Sequence, residues 1–124
     1  MKMRVARHTA NLQPLIHFYH HVLGLEILGR FDGHDGYDGI FLGLANNNWH
    51  LEFTVSDNLP QHQPDEDDLL VFYPETEQAY NELKTKFAQH NISPVRAKNS
   101  YWNSNGVTYT DPDGYRMVIA RPQE

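Results

Sequence analysis

A chain of 124 residues can build one hydrophobic core, and its net charge of -6 would repel a phosphate backbone over most of its surface. Cysteine is absent, which excludes disulfides, thiolate nucleophiles and thiolate metal sites and leaves His, Asp and Glu as the available metal donors. The opening MKMRVARHT lacks the apolar core of a signal peptide and no run approaches the ~20 apolar residues of a membrane span, so a cytoplasmic protein with neither nucleic-acid nor membrane partners is expected.

In chain order, Met3 to His8 reads as a short strand. NLQPLIHFYHHVLG follows, with apolar residues at Leu15, Ile16, Tyr19, Val22 and Leu23 in helical spacing. Asn11 can cap the first amides, Pro14 is tolerated in the first turn, and Gly24 closes the helix. LEILGRF, GIFLGLA and WHLEFTV are three strand candidates separated by the turn stretches DGHDGYDG and NNN. Residues 57–67, rich in Pro, Gln and Asp, read as a linker between a first module at about 1–56 and a second at about 68–124. The cycle then restarts. LLVFY is a strand, TEQAYNELKTKFAQHN is a helix with Ala79, Tyr80, Leu83 and Phe87 on one face, and PVRAKN, GVTYT and YRMVIA are strands. A βαβββ unit therefore occurs twice, and self-similarity of this kind outranks any single strand assignment.

The doubled unit, FYHHVLGL at the end of the first helix and DPDG before the last strand resemble the vicinal oxygen chelate superfamily, which includes glyoxalase I, bleomycin and fosfomycin resistance proteins and extradiol dioxygenases. HDGYDG, HLEFT and YW are similar to its YycE-like branch. The resemblance covers essentially the whole chain. It implies an α+β fold, a single domain over residues 1–124 in which two βαβββ modules form a curved mixed sheet around a cavity, often within a homodimer. It also implies metal ligands on the first and last strand of each module, in the pattern His, Glu, His, Glu or close variants. Here those positions fall on Arg4, Glu52, Asp68 and Val118, which is not a working metal quartet.

Strand alternation sets Arg4, Ala6 and His8 on one face, and His50, Glu52 and Thr54 likewise on one face. A guanidinium can neutralise a carboxylate where a metal would otherwise do so, which makes Arg4, His50 and Glu52 a metal-free pocket floor. The alternative is an ion pair that serves structure alone. Glu52 is the candidate general base and His50 the candidate proton donor or oxyanion partner. His8, Asp68, Phe72, Tyr101, Trp102 and Arg116 complete the candidate ligand-binding set. Asp68 also ends an acidic run suited to a solvated linker, and Tyr101 and Trp102, expected in a loop, suit either a pocket mouth or ordinary packing. His17 and His21 have a zinc-capable spacing but lie opposite the apolar face, and Asp32, Asp35 and Asp38 suit a hairpin turn rather than a calcium loop.

The reading favoured by these residues is a metal-independent protein that binds a small organic molecule, with or without turnover and with no cofactor. One alternative is a metal-dependent lyase, transferase or dioxygenase using Zn, Ni, Mn or Fe on His8, His50, Glu52 and Asp68. The other is a resistance protein that sequesters a drug.

Overall fold

In the computed structural model, which describes residues 1–123, the chain folds as two compact units, Met1–Gln61 and His62–Glu124. Each holds a small mixed sheet beside helix, giving an α+β protein.

The first unit runs β1 (Met3–His8), α1 (Leu12–Ile16), β2 (Glu26–His34), β3 (Tyr37–Gly43) and β4 (Trp49–Val55), in the sheet order β1-β4-β3-β2. Strand β1 lies parallel to β4 and the other pairs are antiparallel. Asn11 caps α1 by accepting from the Gln13 amide at 3.1 Å. Beyond Ile16 the helix widens into a π turn over His17–Val22, closed by the Leu23 amide on the Phe18 carbonyl at 3.0 Å. Leu15, Phe18, Tyr19 and Val22 are buried, and Tyr19 stacks on Phe53 with ring centroids 5.3 Å apart. Phe53 opposes Ile40, and Leu51 opposes Leu42, so these four form the helix-facing side of the sheet. The hairpin between β2 and β3 is tighter than the eight-residue DGHDGYDG suggests: pairing continues to His34 opposite Tyr37, and Asp35 and Gly36, both at positive φ, make the turn.

The second unit holds β5 (Leu69–Phe72), α2 (Glu77–Gln89), α3 (Tyr101–Asn105), β6 (Gly106–Thr110) and β7 (Arg116–Ala120), with sheet order β5-β7-β6. Thr76 caps α2 through the Ala79 amide, and Phe87 of this helix stacks on Tyr109 at 4.1 Å. Here the sequence expectation needs correcting. PVRAKN makes a single bridge, Val95 to Thr108, in place of a strand. Pro94 has no amide to give, and the Asn103 carboxamide grips Ala97 on both sides, accepting from its amide at 2.8 Å and donating to its carbonyl at 3.0 Å. A side chain thereby takes the backbone groups that a neighbouring strand would have used. Tyr101 and Trp102, expected in a loop, begin the short α3, whose first amide is taken by Asn99 Oδ1 at 3.1 Å. His62, expected in the linker, packs edge-on against Tyr115 with ring centroids 5.2 Å apart, so the second unit begins earlier than residue 68.

The DPDG turn is held by its own first residue. Asp111 is 4% exposed, and its Oδ1 accepts from the Asp113 amide at 2.9 Å and the Tyr115 amide at 3.1 Å. Its carboxylate is thus consumed in shaping the entry to β7. Asp111→Ala is expected to cost about 2–3 kcal/mol, because two amides lose their acceptor, while Asp111→Asn costs less. The midpoint of urea unfolding at constant slope measures both.

Candidate functional site

The parallel register of β1 and β4 sets Arg4 opposite His50, Ala6 opposite Glu52 and His8 opposite Thr54. Arg7, by contrast, reaches the Tyr19 hydroxyl at 3.4 Å and lies over the Phe53 ring, which marks the α1 side. Alternation therefore carries Arg4, His50 and Glu52 to the opposite side of the sheet. There they meet. Arg4 Nε donates to His50 Nε2 at 2.9 Å, and Arg4 Nη1 lies 3.7 Å from Glu52 Oε1.

This geometry fixes the chemistry of the imidazole. A guanidinium has no lone pair to offer, so His50 Nε2 accepts and the ring is neutral with its proton on Nδ1. Burial, followed by the positive charges of Arg4 and Lys2, holds the His50 pKa below its ordinary value, against an opposing pull from Glu52. Of the two roles open to His50, donation must come from Nδ1.

Strand β3 completes this side with residues that sequence reasoning missed. Phe41 opposes Glu52, lies 4.8 Å beneath the Arg4 guanidinium and meets the His50 ring edge-on at 5.7 Å. Two glycines give the rings room. A Cβ at Gly39 would lie 2.3 Å from the Phe31 ring, so that ring rests directly on backbone, and a Cβ at Gly43 would crowd His50 at 3.2 Å and Leu28 at 3.0 Å. Phe31 and Phe41 have centroids 5.6 Å apart, making a continuous aromatic surface beside the charges. The signal was present in YDGIFLG, where glycines stand two residues either side of Phe41.

The other candidates are placed differently. His8 Nδ1 takes the Thr54 hydroxyl of β4 at 2.8 Å and Nε2 donates to the Asn58 carbonyl at 2.9 Å, so both nitrogens are engaged and the second ties down the segment after β4. In the second unit, Asp68 is exposed in a turn where its carboxylate takes the Asp65 amide at 3.4 Å. Phe72 opposes Ile119 and so lies on the α2 side of its sheet. Arg116 donates to the Arg96 carbonyl at 3.1 Å and reaches Glu66 at 3.8 Å. Tyr101 and Trp102 pack edge to face at 4.9 Å on α3. Val118 is fully buried between Val71 and Thr108 on neighbouring strands.

A metal does not fit these residues. Of the positions that the superfamily uses, Arg4 brings a cation, Val118 no donor, and Asp68 is engaged in its turn. His8 has no nitrogen to spare for the shifted set. Among the described residues, no three His, Asp or Glu side chains converge on a point.

Comparison with known proteins gives a consistent picture. Residues 3–54 match the YycE-like N-terminal domain and residues 67–121 the YycE-like C-terminal domain. The uncharacterized protein YycE of Bacillus subtilis is 38% identical over 119 residues, covering 95% of this chain and 86% of that protein. The crystal structure of a Bacillus subtilis YycE protein, of unknown function and described as a candidate glyoxalase/fosfomycin resistance protein, superposes with a TM-score of 0.87 at 36% identity, covering 99% of this chain and 90% of that one. Two more distant structures share the fold. The trypanothione-dependent glyoxalase I of Leishmania major has a TM-score of 0.74 at 21% identity, covering 98% of this chain and 86% of that one. TnmS3, an antibiotic binding protein from Streptomyces sp. CB03234, has a TM-score of 0.69 at 16% identity, covering 99% and 96%.

The Arg4–His50 contact has a measurable consequence. Because the folded His50 pKa lies below the ordinary 6.5, the unfolded chain binds the proton first as pH falls. The stability His50 contributes is therefore complete above about pH 6.5 and is lost as pH drops from there through the folded value. In a proton NMR titration, His50 should titrate below 6.5 in the parent, rise toward 6.5 in Arg4→Met, and fall further in Glu52→Gln. A parent value at or above 6.5 contradicts the assigned tautomer.

Proposed function

Because the chain belongs to the YycE-like family of the vicinal oxygen chelate superfamily, we propose that it binds a small organic molecule on the side of the first sheet away from α1, with Arg4 in the role a metal ion fills in metal-dependent relatives. The observation that carries this reading is the pair of contacts from one guanidinium, 2.9 Å to His50 and 3.7 Å to Glu52. The fold alone does not choose a chemistry, since a glyoxalase and an antibiotic binding protein share it. The choice rests on the residues.

Glu52 has 13% of its side chain exposed and Arg4 has 51%. The carboxylate is thus the drier partner, and the guanidinium reaches from it toward solvent and an incoming molecule. In this arrangement Arg4 binds and orients a polar ligand group, Glu52 can receive a proton from it, and neutral His50 offers its Nδ1–H as a donor. Binding is the first step for turnover and for sequestration alike. The same sheet ends in two edge strands with exposed apolar residues, Met3 and Val5 on β1 and Ile27 and Leu28 on β2, which suits association with a second copy.

Three outcomes test this reading. In a thermal-shift library of small acids, quinones and glycopeptide drugs, a compound that stabilises the parent should bind Arg4→Ala about ten-fold or more weakly, and Glu52→Gln should lose affinity or turnover with its fold intact. Unchanged affinity in both variants would falsify the site. Calorimetric titration of the parent with Zn²⁺, Ni²⁺ or Mn²⁺ should show no stoichiometric micromolar binding. Light scattering at high micromolar concentration should read twice the chain mass of 14.4 kDa.

A further inference from the structure

The molecule bound on this side of the sheet is set by more than the ion pair. The outer end of the Phe31 ring rests against the Gly39 backbone, Phe41 lies beside it at 5.6 Å, and Leu28 borders Gly43. Both rings are half-buried and Leu28 is 45% exposed, so the three leave apolar area uncovered. The two rings are tilted 43° to each other and Arg4 covers Phe41, so a flat ring can stack on Phe31 with its edge toward Phe41 and Arg4. At one border of the surface stands Arg4, stacked on Phe41 at 4.8 Å.

The charges around this border do not cancel. Glu52 is matched by Arg4, His50 is neutral through the hydrogen bond it accepts, and Lys2 is close enough to act on the His50 ring. One positive charge is left over. Arg4 uses Nε on His50 and Nη1 on Glu52, and among the described residues Nη2 donates to none. A carboxylate at this edge would receive a charge-assisted hydrogen bond from Nη2, with Lys2 adding attraction. A cationic ligand would meet Arg4 and Lys2 first and be repelled.

Resting on the binding site proposed above, we infer that its ligand class is a planar aromatic carboxylate, the ring stacked on Phe31 with its edge toward Phe41 and the carboxylate at Arg4. The test uses four probes on the intact protein: 2-naphthoate, its neutral counterpart 2-naphthylmethanol, its cationic counterpart 2-naphthylmethylamine, and cyclohexanecarboxylate. Amide and aromatic NMR shifts locate binding and give affinities. The expected result is that 2-naphthoate shifts Leu28, Phe31, Phe41 and His50 and binds about ten-fold more tightly than the alcohol or the cyclohexyl acid, with the amine weakest. Arg4→Gln should erase the preference of acid over alcohol, and Arg4→Lys should restore part of it.

Equal affinity for acid and alcohol on these residues overturns the ligand class yet leaves the binding site standing. Acid shifts confined to other surfaces overturn both. Failure of all four probes to bind also overturns the ligand class, and the Arg4→Ala comparison with library compounds then decides the site independently.

Discussion

A carboxylate with most of its surface out of water has to be matched by positive charge, and Glu52 is matched by Arg4. Everything on that side of the first sheet follows from this requirement. It fixes the pairing of β1 with β4, since a one-residue slip would send Arg4 toward Phe53 and bring Val5 beside Glu52. It fixes the His50 tautomer, because the same guanidinium reaches both side chains.

The sheet separates two tasks by strand alternation. On β3, Ile40 and Leu42 face α1 and are fully buried, while Gly39, Phe41 and Gly43 face the other way. The first set holds the fold together. The second keeps the opposite surface low enough for rings to lie against backbone, so the core and the proposed binding surface occupy alternate positions of one seven-residue strand. A change on one side can therefore alter ligand contact without opening the core.

Much of this was legible in the sequence. The repeat, both main helices and the family followed from apolar spacing and from FYHHVLGL and DPDG, and the meeting of Arg4, His50 and Glu52 followed from alternation on two strands. What escaped were features that depend on side chains crossing between segments. Phe31 and Phe41 looked like ordinary strand residues until their neighbouring glycines were seen to be space for rings. PVRAKN looked like a strand because its composition cannot disclose that Asn103, beyond it, takes the backbone of Ala97. His8 looked like a ligand because its two partners, Thr54 and Asn58, lie about fifty residues away in sequence.

The Asn103 clamp makes the order of one stretch depend on side chains rather than on a strand ladder. A ladder between strands shares its load over many rungs, and losing one leaves the others. Between Val95 and α3 the backbone is instead held by one bridge and by the side chains of Asn103 and Arg116. Such anchors lie outside the ladder of β6 with β7, so the amides of this stretch are expected to exchange before those of that ladder.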